Sequence, residues 1–511
     1  MSIDRSISIF GNAIDDRTYR KACAAKRKFA RKFNDDPTAQ CHVHPEPLPV
    51  IGERLGVRNL VSGSSSSLDL AQDAQNAASL NDDALASETT GKPVIVGNIR
   101  MGFGHYRISM AMASAAHALG HVPYWFDLSS FPDTTCSKVI GHQNDLYSMG
   151  SRLSQRSRLF NKLYWEPLNS EGFKKLSYNA TNQKVAELMC APFADLDRDT
   201  PFIAAHVWPA QAALHAGMKR VVNAIPDNWP MALHLAEGSI HTVQTPNSYL
   251  GYKALRGMDA KRSLKPMPDD SLVYTGHYVD HELVLNIQND CAARMARLDS
   301  GKPVRYLLSV GGAGAQMNLF KGIIEHLLSK IEAGRATLFV NVGDHLNVWE
   351  GLRAALPALN DAHLHFDDFD EVAAFAQHAL AEDAQEPVEG VHAFFHQDIF
   401  AAVYSTNLLM RVCDILVTKP SELSFYPVPK MMIQRVGGHE AWGAIRSAEV
   451  GDGTYELETL PETCAMIDMI QAEPGIIAAM CDNIMAADAL GVYDGAYRVV
   501  NLAIEGVAAQ G

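Results

Sequence analysis

The sequence predicts an α/β protein of two doubly wound, Rossmann-like domains facing a cleft, with an N-terminal extension and C-terminal helices. Three observations predict it. Short β-branched runs alternate with long helical patterns from residue 93 onward, the alternation restarts near residue 301, and each series opens with a strand that runs into a glycine turn. A chain of 511 residues is also too long for one ordinary core, so two folded domains are expected.

The first 92 residues are read as an extension. They hold a basic run, "RTYRKACAAKRKFARK" at 17–32, with eight Lys/Arg and no acid, followed by a Ser-, Asp-, Asn- and Ala-rich stretch at 62–92 that reads as a linker or weak helix. The basic run suits a solvated helix best. Tyr19, Phe29 and Phe33 among the cations make membrane docking a secondary expectation.

Residues 93–300 form the first predicted domain. "PVIVGN", "HVPYWFDL", "PFIAAHV", "RVVNAI" and "HTVQT" read as strands, with helices over 105–119 and 174–191. Residues 301–460 form the second, with "VRYLLSV", "ATLFVNV", "HLHF", "GVHAFF", "DILVT" and "KMMIQ" as strands. Residues 461–511 are mostly helical in pattern.

Composition removes several classes of function. A formal net charge of −14 argues against a general nucleic-acid surface. No apolar run reaches the roughly 18 residues that span a bilayer, and the first residues lack a signal-peptide core, so a cytoplasmic location is expected. The eight cysteines form no CxxC pair and no dense framework, and "CHVH" at 41–44 has no second half at zinc spacing and reads as a loop. No DxD stands on a loop after a strand, and "FDDF" at 366–369 reads as a helix cap more than a ligand pair.

The two glycine turns carry the chemistry. The first holds Gly102, Gly104 and His105; the second, "SVGGAGAQ", holds Ser309, Gly311, Gly312 and Gly314. Without a Cβ the backbone N–H groups can approach a ligand, and the following helix presents its positive end to an anion. Neither turn meets the full dinucleotide fingerprint, so the weight lies on the pair. Arg100 and Arg107 flank the first turn and suit an anionic acceptor, and Trp229 in "PDNWP" suits a sugar face.

From 93 to 450 these landmarks resemble the GT-B glycosyltransferases, closest to the group of monogalactosyldiacylglycerol synthases, diacylglycerol glucosyltransferases and the peptidoglycan N-acetylglucosaminyl transferase. The family's G-x-G-H loop is similar to Gly102, Gly104 and His105, and "AIPDNW" places Asp227 where the family has an aspartate. "TG" at Thr275 and Gly276 resembles its domain junction, and "VNVGDH", with Gly343, the strand and loop after the donor-side turn. "CDILVTKPSEL" resembles D-x-x-V-T-K-P-G-G, and "GGHEAWGA" its P-G-Q-E-x-x-N loop.

The resemblance implies inverting transfer of a sugar from a nucleoside-diphosphate sugar, such as a uridine diphosphate sugar, to a lipid or small-molecule hydroxyl, with no metal and no cofactor expected. It assigns His105 and Asp227 to catalysis and Gly102 and Gly104 to the acceptor side, where Arg100, Arg107 and Trp229 join them on their own chemistry. Ser309, Gly311, Gly312, Gly314, Gly343, Lys419, Pro420, Ser421, Glu422, Gly438 and Glu440 go to the donor side. Ser421 and Glu422 stand where the family has glycines, and Pro427 lies near the place of its ribose-binding glutamate. Those departures keep a non-catalytic nucleotide-sugar sensor or scaffold as an alternative, and a nucleotide-sugar epimerase or phosphorylase, which would use the same cleft with different acid-base groups, is a second.

The chemistry suits the residues, since a neutral imidazole is matched to taking a hydroxyl proton near neutral pH. Each residue also has a plainer role open to it. His105 can simply begin a helix, Asp227 can form a turn between prolines, Lys419 can be a surface cation, and Glu440 a helix N-terminal acid. Trp125, Trp208 and Trp229 can be core aromatics.

Overall fold

The computed structural model describes residues 4–64, 68–78, 91–156, 171–310, 316–381 and 387–507. The chain divides into two compact units, Met1–Tyr278 with Asp494–Gly511, and Val279–Tyr493. Both are built on parallel sheets covered by helices, the two Rossmann-like units that the alternating pattern predicts.

The sheet of the first unit has eight strands: β1 (His42–Pro47), β2 (Arg58–Gly63), β3 (Pro93–Asn98), β4 (Val122–Asp127), β5 (Phe202–Ala204), β6 (Val221–Ala224), β7 (Ile240–Val243) and β8 (Leu272–Tyr274). Their order is β8-β7-β6-β5-β3-β4-β2-β1, all parallel except the β1–β2 pair. Ile95 of β3 lies between Tyr124 and Phe202. Helices on both faces leave β3 to β6 almost wholly buried, which is why these strands read as continuous apolar runs rather than as alternation.

Among the helices of this unit are α1 (Asp16–Phe33), α2 (Phe103–Ala118), α3 (Thr135–Arg156), α4 (Leu176–Ala186) and α5 (Val207–His215). Helix α2 is apolar nearly all round because the sheet covers one side and the helix Gly495–Glu505 packs on another.

The second unit holds β9 (Val304–Ser309), β10 (Ala336–Asn341), β11 (His363–Phe366), β12 (Val391–Phe395), β13 (Ile415–Thr418) and β14 (Lys430–Met432), all parallel, in the order β11-β12-β10-β9-β13-β14. Helix α6 (Met317–Glu332) follows β9, and α7 (Ala441–Val450) follows β14.

Eleven of these strands coincide with the runs read from sequence. The other three and the unit boundaries differ from it. Residues 42–47 and 58–63 are not a separate extension: they form the antiparallel edge pair, and the "CHVH" stretch is part of β1, with His42 Nδ1 2.9 Å from Asp195. Helix α1 joins the unit through Lys26, which pairs with Glu187 at 2.6 Å. Of the 62–92 stretch, Leu70–Ala78 is helical, and residues 65–67 and 79–90 lie outside the described residues.

The first boundary lies at 278 rather than 300, because the helix Ile287–Asp299 belongs to the second unit: Arg294, buried, donates to the carbonyls of Cys413 at 2.8 Å and Met410 at 2.6 Å. The C-terminal helices also part company. Leu460–Ala472 and Gly475–Ala489 stay in the second unit, while Gly495–Glu505 returns to the first, where Arg498 donates to the Thr275 carbonyl at 2.8 Å.

Among the described residues no single helix is long and apolar enough to cross a membrane.

Candidate active site

In each sheet the chain order reverses beside a central strand, β3 in the first unit and β9 in the second. From β3 it runs outward to β4, then crosses to β5 and continues the other way; in the second unit β10, β11 and β12 lie to one side of β9 before the chain crosses to β13 on the other. Such a reversal leaves a crevice at the carboxyl ends of the two neighbouring strands, because their connections leave to opposite sides. The crevice of the first unit therefore lies where β3 and β5 end, and that of the second where β9 and β13 end.

The chain leaves β3 through Gly102, whose φ of 79° is left-handed, and a Cβ there would meet nothing within 4 Å. Only glycine takes this turn without strain, and its backbone is exposed. Gly102 is the residue before α2, so Phe103, Gly104 and His105 form that helix's first turn. Asn98, fully buried at the end of β3, accepts the Ile99 N–H through Oδ1 at 2.6 Å, and its Nδ2 has no hydrogen-bond partner.

His105 is half-buried, and its Nδ1 lies 3.0 Å from the carbonyl oxygen of Ala205, just past β5. A carbonyl only accepts, so Nδ1 carries the hydrogen and Nε2 is the accepting nitrogen of the neutral ring. His206, which follows Ala205, is packed edge-on against it at 4.7 Å between ring centres. His206 caps α5 by accepting the Trp208 N–H on Nδ1 at 3.1 Å. Burial holds its pKa well below the ordinary histidine value; His105 and His234 push the same way and Asp227 opposes them.

Asp227 follows β6 in an irregular segment, as "PDNWP" suggests. It does not stand alone. Its Oδ2 lies 3.2 Å from Nε2 of buried His234, whose Nδ1 is 2.7 Å from the hydroxyl of Tyr252. The carboxylate accepts from Nε2–H, Nδ1 shares the bond to the Tyr252 hydroxyl, and that hydroxyl also reaches the Trp229 carbonyl at 3.3 Å, giving a tyrosine–histidine–aspartate chain that ends on a carboxylate about one-third exposed. Trp229 is half-buried with the Lys174 ammonium over its ring, 5.2 Å from the centre. Trp125 and Trp208 are core residues.

The two arginines separate: Arg100 is at the surface, whereas Arg107 is 2% exposed inside α2. Asp127, at the end of β4, is also buried. It accepts the Tyr106 hydroxyl at 2.5 Å and the Ser129 N–H at 2.7 Å, and burial raises its pKa despite those bonds and the charge of Arg100.

In the second unit Ser309 ends β9 and is buried; Gly311, Gly312 and Gly314 lie outside the described residues. Gly343, with φ 60°, turns the chain after β10 and donates its N–H to Asn341 Oδ1 at 3.0 Å. Lys419 and Pro420 follow β13, so Ser309 and Lys419 stand at the ends of the two strands that border the crevice. Ser421 precedes a short 3-10 turn, Glu422–Phe425, and donates its N–H to the Lys419 carbonyl at 2.8 Å.

Lys419 forms an ion pair with Glu440. The other Glu440 oxygen accepts the N–H groups of Val436 at 2.8 Å and Gly437 at 3.1 Å, so Glu440 closes the turn Gly438–Glu440 that leads into α7. Gly443 in α7 permits that docking, since a Cβ there would lie 2.9 Å from the Pro420 carbonyl oxygen.

Sequence reasoning found the glycine turn, His105 and Asp227 but missed His206, His234, Tyr252 and Asp127. The signal was position: three of these end a predicted strand of a parallel sheet or lie in the loop after one. Among the described residues no group of three or more His, Cys, Asp or Glu is placed to hold a metal ion.

No curated protein matches the chain in sequence. Solved structures similar to it include a UDP-GlcNAc 2-epimerase from Neisseria meningitidis bound to UDP-GlcNAc, at 11% identity over 80% of this chain and 98% of that one, TM-score 0.43. An α,α-trehalose 6-phosphate synthase from Burkholderia multivorans matches at 11% identity over 82% and 99%, TM-score 0.41. The glycosyltransferase VinC in complex with dTDP matches at 12% identity over 80% and 99%, TM-score 0.38. Residues 8–254 match the family described as Domain of unknown function (DUF6937), and residues 267–504 match Domain of unknown function (DUF6938).

Proposed function

We propose that the chain is a glycosyltransferase of GT-B type that moves a sugar from a nucleoside-diphosphate sugar to a hydroxyl acceptor, with His105 as the base. One observation supports this most: His105 stands in the first helical turn beyond the β3 glycine turn, with Nδ1–H tied to a main-chain carbonyl so that Nε2 is its accepting nitrogen. That is the tautomer which takes a proton from an acceptor hydroxyl as its oxygen attacks the anomeric carbon. Fixing the ring also spares the reaction the loss of its rotational freedom.

On this reading the first unit supplies the acceptor side. The Asp227 carboxylate, held by His234, receives a hydrogen bond from a second acceptor hydroxyl, Trp229 offers a face to the sugar or acceptor ring, and Arg100 meets an anionic group. The second unit supplies the donor side, where Lys419 stabilises the departing diphosphate and Glu440 acts by holding Lys419 and the α7 turn in place. Gly343 and Ser309, at the ends of β10 and β9, complete the phosphate contacts. The acceptor class is a lipid or small-molecule hydroxyl, and the preferred donor is a uridine diphosphate sugar.

The test is release of nucleoside diphosphate from a set of uridine and guanosine diphosphate sugars, following a thermal-shift screen that identifies which of them binds. Binding without release by the wild type, at any acceptor tried, would turn the reading to a non-catalytic nucleotide-sugar sensor. Absence of binding by every nucleotide sugar would remove the donor assignment.

A further inference from the structure

At the edge of the second sheet the short strand β11 pairs with β12 alone. Its Leu364 is half exposed, while His365 is on the opposite face and buried, as is His392 of β12. The register sets His363 opposite His392 and His365 opposite Phe394, so His365 and His392 are diagonal neighbours on one face. His365 Nδ1 lies 2.6 Å from Glu371, in the first turn of the helix Phe369–Leu380, and its Nε2 lies 3.0 Å from His392 Nδ1. His392 Nε2 lies in turn 3.0 Å from the Glu389 carbonyl oxygen. The contacts run in line from a carboxylate, through two rings, to a main-chain carbonyl.

The hydrogens along that line can be counted. A carboxylate and a carbonyl only accept, so His365 Nδ1 and His392 Nε2 each carry a hydrogen. Two neutral rings have no others. His365 Nε2 and His392 Nδ1 would then meet as two lone pairs at 3.0 Å, a hydrogen-bond distance with no hydrogen in it. A third hydrogen removes the clash: His365 becomes an imidazolium that donates to both Glu371 and His392, while His392 stays neutral and donates to the carbonyl. Glu371 is the counter-charge, and the His365 ring lies flat on Phe394, 4.6 Å between centres at 8°, where an aromatic face attracts a cation.

The groups around the pair act in both directions. Burial works against a charge on His365, Glu371 works for it by hydrogen bond and by charge, and His363 works against it. Burial, then His365, His363 and Arg305 of β9, hold His392 at about 3, so the charge belongs to His365. Phe375 from the helix and Phe339 from β10 add rings without charge. The contact between the two rings decides the balance, because only the loaded pair makes all three bonds.

We propose that His365 and His392 form a proton-loaded latch, in which one proton beyond those of two neutral rings lies between them, with Glu371 as counter-charge, and whose loss loosens β11 from β12 as the pH rises. The closed pair binds this proton more tightly than a ring in water does, so the latch is closed below the ordinary histidine value of about 6.5 and opens above it. The proton leaves to solvent past Glu371, whose side chain is 45% exposed. Without it one of the three contacts has no hydrogen, and each of them ties β11 or the helix start to β12. An edge strand with one neighbour has little else to hold it. The latch is independent of the sugar-transfer reading.

The full chain with nitrogen-15 histidine is followed from pH 6 to pH 9 through its ring nitrogen shifts. Amide exchange is read at both ends, corrected for the intrinsic effect of pH. A ring whose signal is removed by His365→Phe keeps both nitrogens protonated beyond the pH at which exposed histidines have titrated. The amides of 363–372 are about tenfold better protected at pH 6 than at pH 9, and those of β9 gain nothing. His365→Phe, which places a ring between Phe375 and Phe394, removes that pH dependence. Glu371→Gln moves the transition down by about one pH unit.

Equal protection of 363–372 at the two pH values in the wild type, or a His365 ring with one protonated nitrogen at pH 6, overturns the proposal. A metal ion retained by the purified wild type and absent from His365→Phe also overturns it, by putting a metal in the proton's place. If His365→Phe fails to fold, Glu371→Gln carries the test, and an unchanged transition in that variant counts against the latch.

Discussion

At the scale of single residues, the histidines of the first unit differ in what each can do with its proton. His105 donates from Nδ1, while His206 accepts at Nδ1 and is kept neutral by burial. His234 bridges an aspartate and a tyrosine. His105→Ala is expected to lower the transfer rate by roughly 10²- to 10⁴-fold, the range of a general base, with nucleotide-sugar affinity unchanged in a calorimetric titration. His234→Ala removes the shortest hydrogen bond of the Tyr252 hydroxyl, leaves it the Met231 N–H and the Trp229 carbonyl, and loosens Asp227; it is expected to cost about 1–3 kcal/mol in urea unfolding. An unchanged midpoint would show that the tyrosine–histidine–aspartate chain contributes nothing to the fold.

Residue chemistry was only partly legible in the sequence. His105 stands out because a glycine turn precedes it, and Asp227 because prolines bracket it. His206 and His234 are ordinary letters until the sheet order brings the ends of β5 and β6 to the same side as that of β3. The burial of Arg107, which the sequence places on the acceptor side next to Arg100, was hidden for a similar reason: the whole of α2 is covered by elements distant in the chain.

At the scale of elements, the loop after β13 and the start of α7 form one device. Lys419, Glu440 and the N–H groups of Val436 and Gly437 tie the loop to the helix, and Gly443 allows close approach. Gly443→Ala places a methyl group 2.8 Å from Ser424 Oγ and 2.9 Å from a main-chain oxygen, so a loss of about 1–3 kcal/mol is expected in chemical denaturation. A neutral result would mean that α7 shifts without consequence, and would loosen the link between that helix and Lys419.

The inner strands of both sheets were legible because they are buried on both faces and therefore carry continuous apolar runs. Three in the first unit were not: β1 is "HVHPEP", with two prolines and two histidines, its partner β2 is "RNLVSG", and β8 is three residues long. A strand at the rim needs little apolar character, and prolines there avoid unwanted pairing, so its sequence looks like a loop.

At the scale of the whole molecule, several histidines are buried in their neutral form. Burial lowers His241 to about 4, and its ring is held by the Ala236 N–H on Nε2 at 2.9 Å and the Ser271 carbonyl beside Nδ1 at 3.0 Å. His215 is lowered to about 4 and His392 to about 3, again chiefly by burial. An unfolded histidine takes up a proton at its ordinary 6.5, whereas the native ring waits until about 4, so the unfolded state binds more protons between these values. Stability is therefore full above pH 6.5 and falls as pH drops toward 4, with His241 contributing on the order of 3 kcal/mol of that loss. Urea midpoints at pH 6.5 and pH 4 check this, and a midpoint that does not fall would contradict the burial of these rings as neutral species.

The domain plan was legible in outline and wrong in its seams. Composition sets residues 1–92 and 461–511 apart, yet the first stretch supplies two sheet strands and the last helix returns to the first unit. Local composition carries no information on which distant strand a segment will pair with, and the Arg498 bond to the Thr275 carbonyl joins residues 223 positions apart. Whether His105 is the base of a sugar transfer is decided by nucleoside diphosphate release from the nucleotide sugar that stabilises the protein best, compared between wild type and His105→Ala. Release by the wild type and a loss of at least about 10²-fold in the variant, with donor binding intact, is the expected result; equal release by the two proteins would contradict it.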